Sequence, residues 1–214
     1  MTTNESFPKF DLPVDFIADD SITGDILNYY GNFPCKIKAG VFMLCTEGMV
    51  RATINLLEIV IRKNDFIVVL PNSFIQIHEV SSDTRISFAG FSSDFMLSGN
   101  YVEILLDFMP MILNSPVISL QEDVAGLYRN VYLLLIRAYT LPHSLENKEI
   151  IRSVLAIFLQ GTKELYKRYG KKLDEPLRRE QELYRQFIQL LMVHYTKEHE
   201  VAFYAEKCGV TAAH

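Results

Sequence analysis

CKIKAGVFMLC (residues 35–45), VRATINLLEIVI (50–61), DFIVVLP (65–71), SFIQIHEV (73–80) and TRISFAGF (84–91) follow one another with only turn signals between them. Each run is rich in β-branched and aromatic residues, which suit a pleated, half-buried surface. The breaks are Thr46-Glu47-Gly48, Lys63-Asn64-Asp65, Pro71-Asn72-Ser73 and Ser81-Ser82-Asp83. Strands this closely spaced, with no helical period between them, predict an antiparallel sandwich or barrel. Pro71 closes its strand because it has no N–H for a ladder.

The block lies in a chain of 214 residues, 49% hydrophobic, long enough for one large domain or a medium domain with a smaller attachment. The start, MTTNESFPKF, lacks a basic and then apolar leader, and no apolar run approaches the ~18–20 residues that cross a bilayer. The expectation is a cytoplasmic protein with no membrane contact. Cys35, Cys45 and Cys208 form no CxxC pair and read as reduced, packed thiols rather than a disulfide framework or zinc site. The net charge of −5 is unevenly spread. Residues 1–160 hold 11 Lys and Arg against 18 Asp and Glu, whereas residues 161–214 hold 10 against 8. That C-terminal excess reads as a solvated helix surface or as a basic face for a polyanion.

After Phe91 the period changes. Residues 94–109 read as a helix stopped by Pro110. Ser119 and Glu122 fit a capping box, in which hydroxyl and carboxylate satisfy each other's orphan amides. Leu120, Val124, Leu127, Val131, Leu134 and Ala138 then recur at steps of four and three, an apolar stripe along one helix. A second helix, 147–169, carries Ile151, Val154, Phe158, Leu165 and Tyr169 on one side, and the pair reads as an αα-hairpin. The stripe suits an intramolecular seam. The first helix also carries Tyr128, Tyr132, Leu135 and Tyr139 on an adjoining face, which leaves apolar surface once one partner is satisfied. Leu127, Val131, Leu134 and Ala138 are therefore the candidate dimer contacts. Residues 171–179 combine Gly-flanked, Pro-containing and charged sequence and read as a linker, followed by an amphipathic helix with Leu183, Phe187, Leu190, Leu191 and either His194 or Tyr195 inward.

Catalytic signatures are missing: there is no phosphate loop, no GxSxG elbow and no HExxH. A metal-dependent barrel enzyme needs about three protein ligands, and the strands supply only His78. His78 beside Glu79 reads as a surface or pocket-rim residue, so no metal and no cofactor are implied. Phe74, Gln76 and His78 share one face of their strand by the period of two. If that face points inward, it is an apolar pocket with a few polar groups, the usual layout of a small-molecule site. If it points outward, Ile75 and Ile77 are the core instead.

At the C-terminal end, Val201, Ala205 and Cys208 fall on one helical face. Gly209 can take the left-handed conformation that ends a helix, Val210 can plug the corner, and Thr211 can cap a following helix. Helix, glycine turn and capped helix is the layout of a helix-turn-helix, although any αα-corner shares it. VAFYAEKCGVTAAH (201–214) resembles the first helix-turn-helix of the AraC family of bacterial transcription regulators. The recurring features are an Ala in the first helix, here Ala205, a hydrophobic-Gly-hydrophobic turn, here Cys208-Gly209-Val210, and a capping hydroxyl, here Thr211. Cys208 stands where the family usually has Leu. LYRQFIQLLMVHYTKEHEVAFYA (183–205) resembles the packing helix and first reader helix of that domain, and KNDFIVVLPNSFIQI (63–77) resembles a cupin-like segment with Asn64 in place of its Gly.

The resemblance implies an α+β chain: an N-terminal antiparallel cupin-like β-barrel (1–92), a helical dimerisation element (93–170), the linker, and the N-terminal part of a helix-turn-helix domain (180–214). It implies a homodimer, an unidentified small-molecule effector and DNA as partners, with Ala205, Gly209, Val210 and Thr211 as scaffold of the reader. The chain stops at the first turn of the first reading helix, which suggests a truncated regulator or fragment with weak or absent specific DNA binding. The competing readings are a cupin-like metal-dependent enzyme with structural C-terminal helices, and a ligand-free interaction module whose barrel is filled by its own side chains.

Overall fold

The computed structural model describes residues 9–29, 34–97, 101–140, 148–170, 179, 183, 186–187, 190–191, 194 and 197–211. In chain order its elements are β1 (Lys9–Phe10), β2 (Phe16–Thr23), α1 (Gly24–Tyr29), β3 (Cys35–Ile37), β4 (Gly40–Glu47), β5 (Met49–Ile54), β6 (Leu57–Arg62), β7 (Asp65–Val69), β8 (Ser73–Val80) and β9 (Arg85–Phe91). There follow α2 (Ser93–Leu97), α3 (Tyr101–Asn114), β10 (Val117–Ser119), α4 (Glu122–Thr140), α5 (Lys148–Tyr169) and α6 (Val201–Lys207).

The class is α+β, as the strand block and the later helical period predict. The strands form two five-stranded sheets rather than one closed barrel, ordered β1-β3-β8-β5-β6 and β10-β7-β4-β9-β2. Pairing is antiparallel except between β1 and β3. The alternation along β4 explains the layering. Phe42 and Leu44 point to the helices, while Val41, Met43 and Cys45 point to the other sheet. β7 does the same, with Phe66 and Val68 on the helical side and Ile67 and Val69 between the sheets. The second sheet is thus buried on both faces, and the first keeps one face toward solvent.

Several sequence expectations are corrected. Residues 50–61 are not one strand: Asn55 (φ 48) and Leu56 (φ 72) turn the chain back between β5 and β6. Two positive φ values are what a tight hairpin demands, and Asn-Leu lacks the glycine that would have announced it. Residues 35–45 divide into β3 and β4, which belong to different sheets. Pro110 lies inside α3 rather than ending a helix. Phe108, Met109 and Ile112 are all 1% exposed on either side of it, so burial outweighs the one amide hydrogen bond that proline forfeits. The capping box at 119–122 does not form. Ser119 lies in β10 and its hydroxyl donates to Asp65 Oδ1 at 2.6 Å, while Glu122 Oε2 accepts from Asn64 Nδ2 at 2.6 Å. Asn64 has φ 70, a conformation Asn tolerates better than most residues, which accounts for its standing in for glycine at this turn. The expected linker, 171–179, lies outside the described residues apart from Arg179.

Cys45 sits fully buried between the sheets, its thiol donating to the Glu47 carbonyl at 3.2 Å. Burial, and then the nearby Asp65 charge, push that thiol from an ordinary 9.0 up to about 12. Below pH 9 both folded and unfolded chains hold the proton. Above it the unfolded chain releases the proton first, so stability falls as pH rises toward about 12. Burial raises Tyr128 to about 12 as well and adds a slope of the same sign. Urea denaturation across pH 9–12 should therefore show a shallower loss of stability in Cys45→Ala than in the parent, with the Tyr128 share left in place.

Candidate functional site

The three candidate pocket residues on β8 point outward. Phe74 is 41% exposed, the His78 ring lies at the surface with Nε2 2.7 Å from Thr53 Oγ1, and Lys36 Nζ stands 5.7 Å over the Phe74 ring. Ile75 and Ile77 face the inter-sheet core instead. The inward reading of Phe74, Gln76 and His78 is therefore corrected: the pattern repeats every two residues on either face, and only the neighbouring sheet decides which face is covered. The inter-sheet layer is filled by aliphatic side chains, with Val50, Ala52, Ile54, Ile61, Ile67 and Ile86 buried there. Among the described residues no three His, Cys, Asp or Glu side chains cluster as metal ligands.

The helical layer inverts part of the sequence reading. Tyr132 and Leu135 of α4, assigned above to the adjoining face, are buried against the helix-facing sheet, Tyr132 completely. Two of the stripe residues face out: Leu127 is 61% exposed and Leu134 is 67% exposed. Val131 is half-buried against the core, and nothing is described of the Ala138 side chain. α4 lies across β2, β4 and β9, and α5 runs beside α3, so the two helices share a layer on the sheet rather than a self-contained hairpin. They meet through large side chains. The Tyr132 and Phe158 rings are 5.5 Å apart, and the Tyr128 hydroxyl lies 2.7 Å from where a Cβ on Gly161 would stand. α5 also exposes Ile150 and Ile157, two turns apart like Leu127 and Leu134.

In the C-terminal segment, α6 ends as its sequence predicts. Cys208 is the C-cap, Gly209 takes φ 67, the Val210 N–H donates to the Ala205 carbonyl at 2.9 Å and the Gly209 N–H donates to the Glu206 carbonyl at 3.0 Å. These are the paired reverse bonds of a Schellman ending, which satisfy carbonyls the helix leaves free. Tyr204 and Ala205 are buried, Tyr204 against Phe187 with ring centroids 5.7 Å apart and with its hydroxyl on the Glu198 carbonyl at 2.7 Å. Val201 is 65% exposed, so the face it shares with Ala205 and Cys208 is only partly covered. Thr211 is exposed and described only to its own position; the helix it was expected to cap lies at 212–214, outside the described residues.

Sequence reasoning missed a polar cleft of about 500 Å³ lined by Asp20, Thr46, Glu47, Lys63, Arg85, Ser87, Arg129 and Leu133. Its members come from β2, β4, β9, α4 and the turn before β7, too far apart in sequence to form a motif.

No family model and no curated protein matches the sequence. Solved structures similar to this chain include AraC-like regulators. The AraC-like transcriptional activator CuxR is 9% identical, with 90% of this chain and 62% of that chain covered and a TM-score of 0.46. ToxT from Vibrio cholerae is 13% identical, with 96% and 69% covered and a TM-score of 0.36. The EutQ protein of Clostridium difficile is 14% identical over 37% of this chain and 69% of its own, with a TM-score of 0.27. The chain thus spans under two thirds of the CuxR chain's length.

Proposed function

We propose that this chain belongs to a cytoplasmic, DNA-binding transcription regulator of AraC type that responds to a small molecule. In this reading residues 1–92 sense the effector, 93–170 hold two subunits together, and 180–214 begin the DNA reader. The observation that carries it is the ending of α6. A buried Ala205, a left-handed Gly209, a half-buried Val210 and an exposed Thr211 support the reading, since a helix-turn-helix calls for this ending and a hydroxyl after it. The sign of regulation would follow from a population shift, with effector changing how two readers are presented. The side-chain-filled inter-sheet layer also suits an interaction module, and that second reading is separated from the first by DNA selection.

Three outcomes are expected. The full product of the reading frame, incubated with a random-sequence DNA library, should enrich one motif with affinity that falls steeply with salt. Retention of DNA without motif enrichment would favour the interaction module. Gly209→Ala, which forces a Cβ into φ 67, should cost the C-terminal segment about 1 kcal/mol in thermal or urea unfolding and weaken the enriched interaction. Leu134→Glu combined with Ile157→Glu should shift sedimentation velocity from dimer to monomer with the circular dichroism spectrum unchanged, because both side chains are 67% exposed in the single subunit.

A further inference from the structure

The polar cleft between α4 and the edge of the helix-facing sheet has features that folding alone does not require. Two β-bulges meet there. The register of β2 against β9 slips between Asp19 and Ile22, and that of β4 against β9 slips between Cys45 and Glu47. On β9 the first slip falls between Phe88 and Ile86, at Ser87, and the second between Ile86 and Arg85. Bulges re-aim side chains and interrupt pairing, and they concentrate next to sites. Here both fall among residues that line the cleft with Arg129.

Ser87 is 5% exposed and lines the cleft. Arg129 also lines it. Its Nε is buried without a hydrogen bond, and the guanidinium pairs with no described carboxylate. Buried polar groups are nearly always satisfied, and an unmet guanidinium N–H is an unfavourable thing to enclose. The other cations are engaged: Arg85 Nε is 3.4 Å from Glu47 Oε2, and Lys63 Nζ is 3.8 Å from Glu122 Oε1. Asp20 sits exposed at the rim, and Leu133, 38% exposed, supplies the apolar wall.

We infer that this cleft is a binding site for the oxyanion group, carboxylate or phosphate, of a small molecule, held by the Arg129 guanidinium and the Ser87 hydroxyl. A guanidinium offers forked donors matched to two oxygens, and a hydroxyl can supply another. With Arg85 and Lys63 already facing carboxylates, Arg129 is, among the described residues that line the cleft, the cation left without an ion pair. Asp20 opposes a second negative charge. A singly charged group is therefore preferred, with a short hydrocarbon portion against Leu133. The inference places the effector site of the proposed regulator here rather than on β8, so that α4, through Arg129, shares the sensing assigned above to residues 1–92. It rests on that proposal only for its biological role, and binding is read without DNA.

The test is titration of the ¹⁵N-labelled chain with sodium acetate, and separately with inorganic phosphate, at constant ionic strength made up with chloride. Acetate should shift amide signals of residues 20, 46–47, 85–87 and 129–133. Arg129→Gln should weaken the fitted affinity about tenfold or more, Arg129→Lys should restore only part of it, and Ser87→Ala should weaken it less. Arg51→Gln, on the solvent face of the other sheet, should leave it unchanged. Shifts scattered over surface lysines, or an unchanged affinity in both Arg129→Gln and Ser87→Ala, would overturn the site. Tighter binding of phosphate than of acetate would overturn the preference for a single charge. Failure here leaves the DNA-selection result untouched, so the two readings fall separately.

Discussion

Everything in this structure depends on covering the second sheet on both faces. Strand β7 is buried along its whole length, Asp65 included, with Phe66 and Ile67 both at 0% exposure on opposite sides. A sheet with two apolar faces cannot exist with only one partner layer. The first sheet covers one side with aliphatic residues. The other side carries Phe42, Phe66 and Phe91 and needs an aromatic-rich helical layer, which Tyr128, Tyr132 and Phe158 provide through ring contacts of 5.4–6.4 Å. Asp65 pins the arrangement. Its carboxylate accepts from the Arg62 N–H at 2.7 Å and from the Ser119 hydroxyl at 2.6 Å, which ties the turn before β7 to β10 just ahead of α4.

That demand also decides what the helices have left to offer. Because α4 must give Tyr132 and Leu135 to the sheet, Leu127 and Leu134 are left outside. α4 also lies across strands whose register slips at one corner, and its Arg129 and Leu133 line the cleft there. The apolar outer surface and the polar cleft are two results of one packing constraint.

Much of this was legible in the chain. The turn signals at residues 46–48, 63–65, 71–73 and 81–83 each mark a strand-to-strand junction, although Thr46, Glu47, Asp65 and Ser73 belong to the strands that flank them, and the change of period after Phe91 marks the change from sheets to helices. The ending of α6 was legible to the residue, because a left-handed glycine closing a helix is a local event governed by the missing Cβ. Less legible were the turn at Asn55-Leu56, which lacks glycine, and the persistence of α3 through Pro110, where burial of neighbours outweighs a local penalty.

The sequence by itself determined the class of each segment, the strand block and the helical period, and the bend at Gly209, since all of these follow from backbone sterics and short-range spacing. Only the tertiary structure decided which face of β8 and which stripe of α4 would be covered. Periodicity marks two faces without saying which one meets a neighbour. It likewise brought Ser87 and Arg129 to one cleft across 42 positions of chain, because that proximity is set by how the helical layer crosses the sheet.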